Sequence, residues 1–131
     1  MASAQEAIAA YLQAGGFGTM GSGIYVDFSP STPFDCIVVS SYQGAAPDRG
    51  VGSKLPIVQR NRVQVMVRKA DPATALNTSM AINNYLEGTA GVISDGVLIV
   101  FVLSVGSGLL YLGKDANNLT MYSMNFEVKT T

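Results

Sequence analysis

The segment Arg62-Val-Gln-Val-Met-Val-Arg-Lys69 alternates apolar and polar or long side chains. Successive side chains of a strand point to opposite faces, so Val63, Val65 and Val67 share one face. Arg62, Gln64, Met66 and Arg68 share the other. A helix would scatter those valines around its axis, because its period is 3.6 residues and not 2. The segment predicts a strand with one face in the core and the other facing out. Asp71-Pro72 follows directly, an N-cap and a first helical residue. The helix they open is predicted to run to about Glu87, to bury Leu76, Met80, Ile82 and Leu86, and to stop at Gly88. A half-buried strand feeding an amphipathic helix favours folds in which helices cover one side of a sheet.

The remaining elements agree with that class. Residues 3–14 predict a helix, with Ser3 as N-cap, Glu6 at capping-box spacing and Ile8, Tyr11 and Leu12 as its apolar stripe. Gly15-Gly16 ends it, and a glycine-rich link leads to the short extended stretch Ile24–Phe28, broken by Pro30 and Pro33. Phe34–Tyr42 reads as a central strand, since Phe34, Cys36 and Val38 lie on one face and Ile37 and Val39 on the other. Residues 43–58 read as a long Gly/Pro-punctuated loop of the kind that often carries function. A strand follows over Val97–Leu103, and Leu109–Leu112 continues extended. Thr120–Val128 closes the chain with Tyr122, Met124, Phe126 and Val128 on one face. The fold class is α+β, a single domain over residues 1–131: an antiparallel or mixed sheet of about four strands with two helices packed on it.

The chain has no His and one Cys among its 131 residues. That removes Ser-His and Cys-His nucleophile pairs, histidine zinc sites, cysteine zinc clusters and internal disulfides. Cys36, inside an apolar strand, reads as a buried inert thiol. The carboxylates Asp27, Asp35, Asp48, Asp71, Asp95 and Asp115 are scattered, and no spacing gathers them into a metal or acid/base pair. Gly16-Phe-Gly-Thr-Met-Gly21 has the letters of a dinucleotide loop. A helix precedes it and extended chain follows, the reverse of the order that chemistry needs. No cofactor, no metal and no catalytic residue are expected, and a small enzyme would require carboxylates that meet only in space. The start lacks the basic and long apolar segments of a signal peptide. The apolar run Val97–Leu112 is too short for a spanning helix and is cut by Gly106-Ser107-Gly108, so no membrane partner is expected.

Charged residues make up only 13% of the chain, about half the ~25% usual for a soluble domain. They are also sorted. Residues 1–48 hold four acids and no base, residues 49–69 hold six bases and no acid, and residues 70–131 hold five acids and two bases. One reading is a nucleic-acid patch in which Arg62, Gln64 and Arg68 face a backbone. Another is an ordinary solvated strand face. A third is head-to-tail assembly, a basic segment of one subunit meeting an acidic surface of the next. Sparse charge elsewhere favours the third, because repeated subunits would cover apolar surface.

The ordered set of pieces resembles the tail-terminator or minor capsid proteins of long-tailed, siphovirus-like bacteriophages. It comprises Ile8-Ala-Ala-Tyr-Leu12, Ile24-Tyr-Val-Asp-Phe-Ser-Pro30, Ser40-Ser-Tyr-Gln-Gly44, Val63-Gln-Val-Met-Val-Arg68 running into Asp71-Pro72, and Ile82-Asn-Asn-Tyr-Leu-Glu-Gly88. Leu112-Gly-Lys-Asp115 and Tyr122-Ser-Met-Asn-Phe-Glu-Val128 complete it. The resemblance implies a structural virion protein, assembled in the host cytoplasm, that forms a ring, commonly a hexamer. The ring would cap the finished tail tube, end its polymerisation and offer a surface for joining the head. Its implied partners are copies of itself, the tail tube protein and a head-tail connector or stopper. Genome DNA would pass through without sequence-specific binding. Other neck components, such as completion or adaptor proteins, share these features. Arg49, Lys54, Arg60, Arg62, Arg68, Lys114 and Asp115 are the residues expected at an oligomer or tube interface, with Arg60, Arg62 and Arg68 bridging to neighbouring acids.

Overall fold

A computed structural model describes residues 3–27, 35–42, 48–49, 56–105, 109–115 and 118–130; for Tyr42, Asp48, Arg49 and residues 56–59 it describes the backbone alone. The elements are α1 (Ala4–Ala14), β1 (Ile24–Val26), β2 (Cys36–Tyr42), β3 (Asp48–Arg49), β4 (Pro56–Lys69), α2 (Pro72–Leu86), β5 (Ala90–Ser94), β6 (Val97–Ser104), β7 (Leu110–Lys114) and β8 (Thr120–Thr130). The α+β class stands. The sheet is larger than the four or so strands expected, with the path β1-β2-β4-β8-β6-β5, β3 added to β4 and β7 added to β8. It is mixed: β1 runs parallel to β2, and the other pairs are antiparallel.

β4 and β8 form the centre, in register from Gln59 opposite Thr130 to Lys69 opposite Thr120. On the other side of β8, two strands share its length. β7 pairs with residues 120–123 and β6 with residues 126–130. The expected alternation holds, with Val63, Val65 and Val67 buried beside Met124, Phe126 and Val128 on the face that both helices cover. α1 contributes Ala7, Ile8 and Leu12 to that core, and α2 contributes Ile82 and Leu86. Each fully buried Val, Leu, Ile or Phe side chain stabilises the fold by about 1.5–3 kcal/mol relative to exposure. β2 is central as expected, buried on both faces from Cys36 to Val39.

The helix signals operate much as the sequence implies. The Ser3 hydroxyl accepts the Glu6 amide at 3.3 Å and donates to the Glu6 carboxylate at 3.0 Å. Asp71 occupies the N-cap position of α2 in extended conformation without a side-chain capping bond, its carboxylate accepting the Thr74 hydroxyl at 2.7 Å instead. The helices meet through Tyr11 and Tyr85, whose rings stack at 4.5 Å, and the Tyr85 hydroxyl donates to the Tyr11 carbonyl.

Two expectations fail. α2 buries Ala75, Ser79, Ile82 and Leu86, while Leu76 and Met80 are exposed. The small residues let the helix lie close on the sheet, so the stripe at i, i+4, i+7 and i+11 wins over the larger side chains beside it. The segment 43–58 is not all loop, because β3 and the start of β4 lie in it and pair as a ribbon.

Candidate functional site

The helix-free face of the sheet gathers most of the charged residues singled out in the sequence. Register places Arg60, Arg62, Gln64, Met66 and Arg68 on this face of β4, opposite Lys129, Glu127, Asn125, Ser123 and Met121 of β8. Arg62 lies 3.9 Å from Glu127, its cross-strand neighbour. Arg60 faces Lys129 across the same pair of strands, so this end of the ribbon carries two adjacent cations. Like charges directly opposite are unfavourable unless a counter-charge lies near.

Arg68 sits differently. It is 8% exposed, and its guanidinium lies 3.8 Å from the Asp115 carboxylate. Asp115 also accepts the Leu119 amide at 3.0 Å, closing the turn between β7 and β8. Arg68 and Asp115, both expected at an interface, are thus brought together inside the chain. Arg68 also lies in register with Cys36. Burial pushes the Cys36 thiol above its ordinary pKa, with the Arg68 charge opposing that shift. Lys114 is exposed at the end of β7. The backbone of Arg49 lies in β3, its side chain outside the described residues, and Lys54 falls outside them entirely.

Sequence reasoning missed the exposed apolar strip at the other side of the sheet. The strand expected over Val97–Leu103 forms as β6, with Val97, Ile99 and Val102 buried. Leu98 and Leu103 are exposed, as are Ile93 on β5 and Leu110, Tyr111 and Leu112 on β7. Ile93 and Leu98 are cross-strand partners in the β5-β6 hairpin. Its two-residue turn, Asp95-Gly96, has φ of 50° and 76°, the left-handed values of a type I′ turn. An Asp-Gly pair between apolar runs was the available signal for β5.

Among the described residues, no group of three or more His, Cys, Asp or Glu could hold a metal, and no helix is long and apolar enough to cross a membrane. The glycines at 16, 18 and 21 follow a helix and precede β1, the order that does not suit a dinucleotide. What the described surface offers is contact area: apolar strand edges beside a ribbon of paired and unevenly spread charge.

The chain belongs to the bacteriophage tail terminator protein family, whose match spans residues 11–131. It is therefore a structural phage protein and a virion component. A solved chain from a structure titled virion of native gene transfer agent (GTA) particle is similar, with a TM-score of 0.49 and 18% identity, covering 97% of this chain and 86% of that one. No curated protein matches.

Proposed function

We propose that this protein forms a ring, hexameric in the complete tail, that caps the finished tube, ends its polymerisation and presents a surface for joining the head. Family membership over residues 11–131 supports a role at the tail end. The observation that carries the assembled state is the exposed apolar strip of Ile93, Leu98, Leu103, Leu110, Tyr111 and Leu112 on a chain with 13% charged residues. A monomer in water would leave that strip as an association hazard, and a ring of copies covers it. Arg60, Arg62 and Lys114, with Arg49 and Lys54 of the basic segment, are assigned to contacts between subunits or with the tube. In this reading Arg68 and Asp115 brace the subunit that presents those contacts.

The partners on this reading are copies of the chain, the tail tube protein and a head-tail connector or stopper, with DNA passing through the ring without sequence-specific contact. The chemistry is contact and not bond cleavage. The test is electron microscopy of tails assembled without this protein. Tubes of uncontrolled length that fail to join heads are the expected result. Tubes of normal length with normal head joining would overturn the reading.

A further inference from the structure

The sheet has a step in it. β6 and β7 lie along the same side of β8, one against each half, and β5 extends the sheet beside β6. Among the described residues nothing extends it beside β7. The vacant lane borders a strand of five residues, Leu110–Lys114, and the strand that projects beside it, β5, also has five.

Edge strands of stable monomers are guarded by charge, proline, bulges or brevity. β7 has a bulge between Tyr111 and Gly113, and both it and β5 are short, but neither carries a proline or a charge within its apolar run. Leu110, Tyr111 and Leu112 are 50, 56 and 44% exposed, with the Tyr111 ring lying against that of Tyr122 at 5.3 Å. β7 thus exposes apolar side chains beside an outer edge that no described residue pairs with. On β5, Ile93 is 74% exposed. Each edge carries one charge at its end, and the signs are opposite: Lys114 closes β7 and Asp95 follows β5. Both are exposed, and neither has an ion-pair partner among the described residues.

We propose that β7 of one copy takes β5 of a second copy as its missing neighbour, with Lys114 of the first meeting Asp95 of the second. Strand addition at an open edge supplies main-chain hydrogen bonds, and Ile93, Leu110 and Leu112 supply the apolar area that excludes water. The two edges are different strips of one chain, so the contact is heterologous. Repeated around an axis, it closes a ring. This inference deepens the ring reading and rests on it.

The test is a double-mutant cycle on the full chain, read by size-exclusion chromatography with light scattering across a concentration series. Asp95→Asn keeps a residue that tolerates the turn, and Lys114→Gln keeps the length of β7. Each single change is expected to raise the concentration needed for assembly by about threefold to tenfold. The double variant should be no worse than the weaker single one. Ile93→Glu and Leu112→Glu, both at exposed positions, should each raise it by more than tenfold while thermal melts of the subunit stay close to wild type. Independent, additive effects of the two charge changes would overturn the pairing, as would rings unaffected by all four. Wild-type assembly that stops at a closed dimer would overturn the heterologous contact. A wild-type chain that stays monomeric, alone and with tubes, would instead overturn the ring reading itself, and the inference with it.

Discussion

Arg68 and Asp115 lie 3.8 Å apart with side chains only 9% and 17% exposed, although 47 positions separate them in the chain. The pair ties the end of β4 to the turn between β7 and β8, so it sets the position of the open strand β7. Arg62 and Glu127, at 3.9 Å, are nearer the solvent on the arginine side.

The two pairs should therefore differ in their contribution to stability. Asp115→Ala leaves a buried guanidinium short of its counter-charge and opens the turn at Leu119. It should cost about 2 kcal/mol, somewhat below the range for a fully buried pair. Glu127→Ala should cost less than about 1 kcal/mol. Urea midpoints of the two variants under one set of conditions check the order. Equal midpoints would refute it.

Gly15 caps α1 with an ordinary φ of −79°, so a larger residue is excluded there by space and not by backbone strain. A Cβ at this position would lie 2.7 Å from Cζ of Tyr85. Gly15→Ala should destabilise the protein by about 1–3 kcal/mol through overpacking. Tyr85→Leu removes the ring, so adding Gly15→Ala to that background should cost markedly less than in the wild type. Thermal melts of the four proteins decide it.

Hydrogen bonding from Thr74 holds the Asp71 carboxyl below its ordinary pKa of 3.8. A depressed acid stabilises the fold at pH values above its unfolded pKa. That contribution disappears as pH falls through the folded value. Thr74→Val should move the Asp71 titration upward towards 3.8. It should also make stability less sensitive to pH below that point. Carboxyl NMR titration with melts between pH 2 and 5 would show both effects.

On α2, the apolar residues differ in what they touch. Leu76→Gln and Met80→Gln alter exposed positions and should change stability by no more than about 0.5 kcal/mol. Leu86→Ala removes a fully buried side chain and should cost about 2–5 kcal/mol. Chemical denaturation of the three variants tests the assignment of faces.

Much of the fold could be read from local patterns. The strict alternation at 62–69 fixes the burial of Val63, Val65 and Val67, and the caps at Ser3 and Asp71 place both helix starts. The faces of β2 and β8 were likewise legible. What escaped were features set by packing or by distant pairing. The close face of α2 is marked by Ala75 and Ser79, residues too small to stand out beside Leu76 and Met80. β5 was overlooked because Gly91 and Ser94 dilute its apolar pattern, although Asp95-Gly96 marked its turn. The union of Arg68 with Asp115 follows from sheet register and a turn more than forty residues away, which no local spacing encodes.

β8 comes after both of its long neighbours in the chain and fills the lane between them. While the polypeptide is being made, β4 and β6 emerge first and must wait for residues 120–130 before the centre of the sheet can close. Helical segments form in about a microsecond, whereas such non-local strand pairing is slow. The core around Phe126 thus closes only after β8 has followed β4 and β6 out of the ribosome.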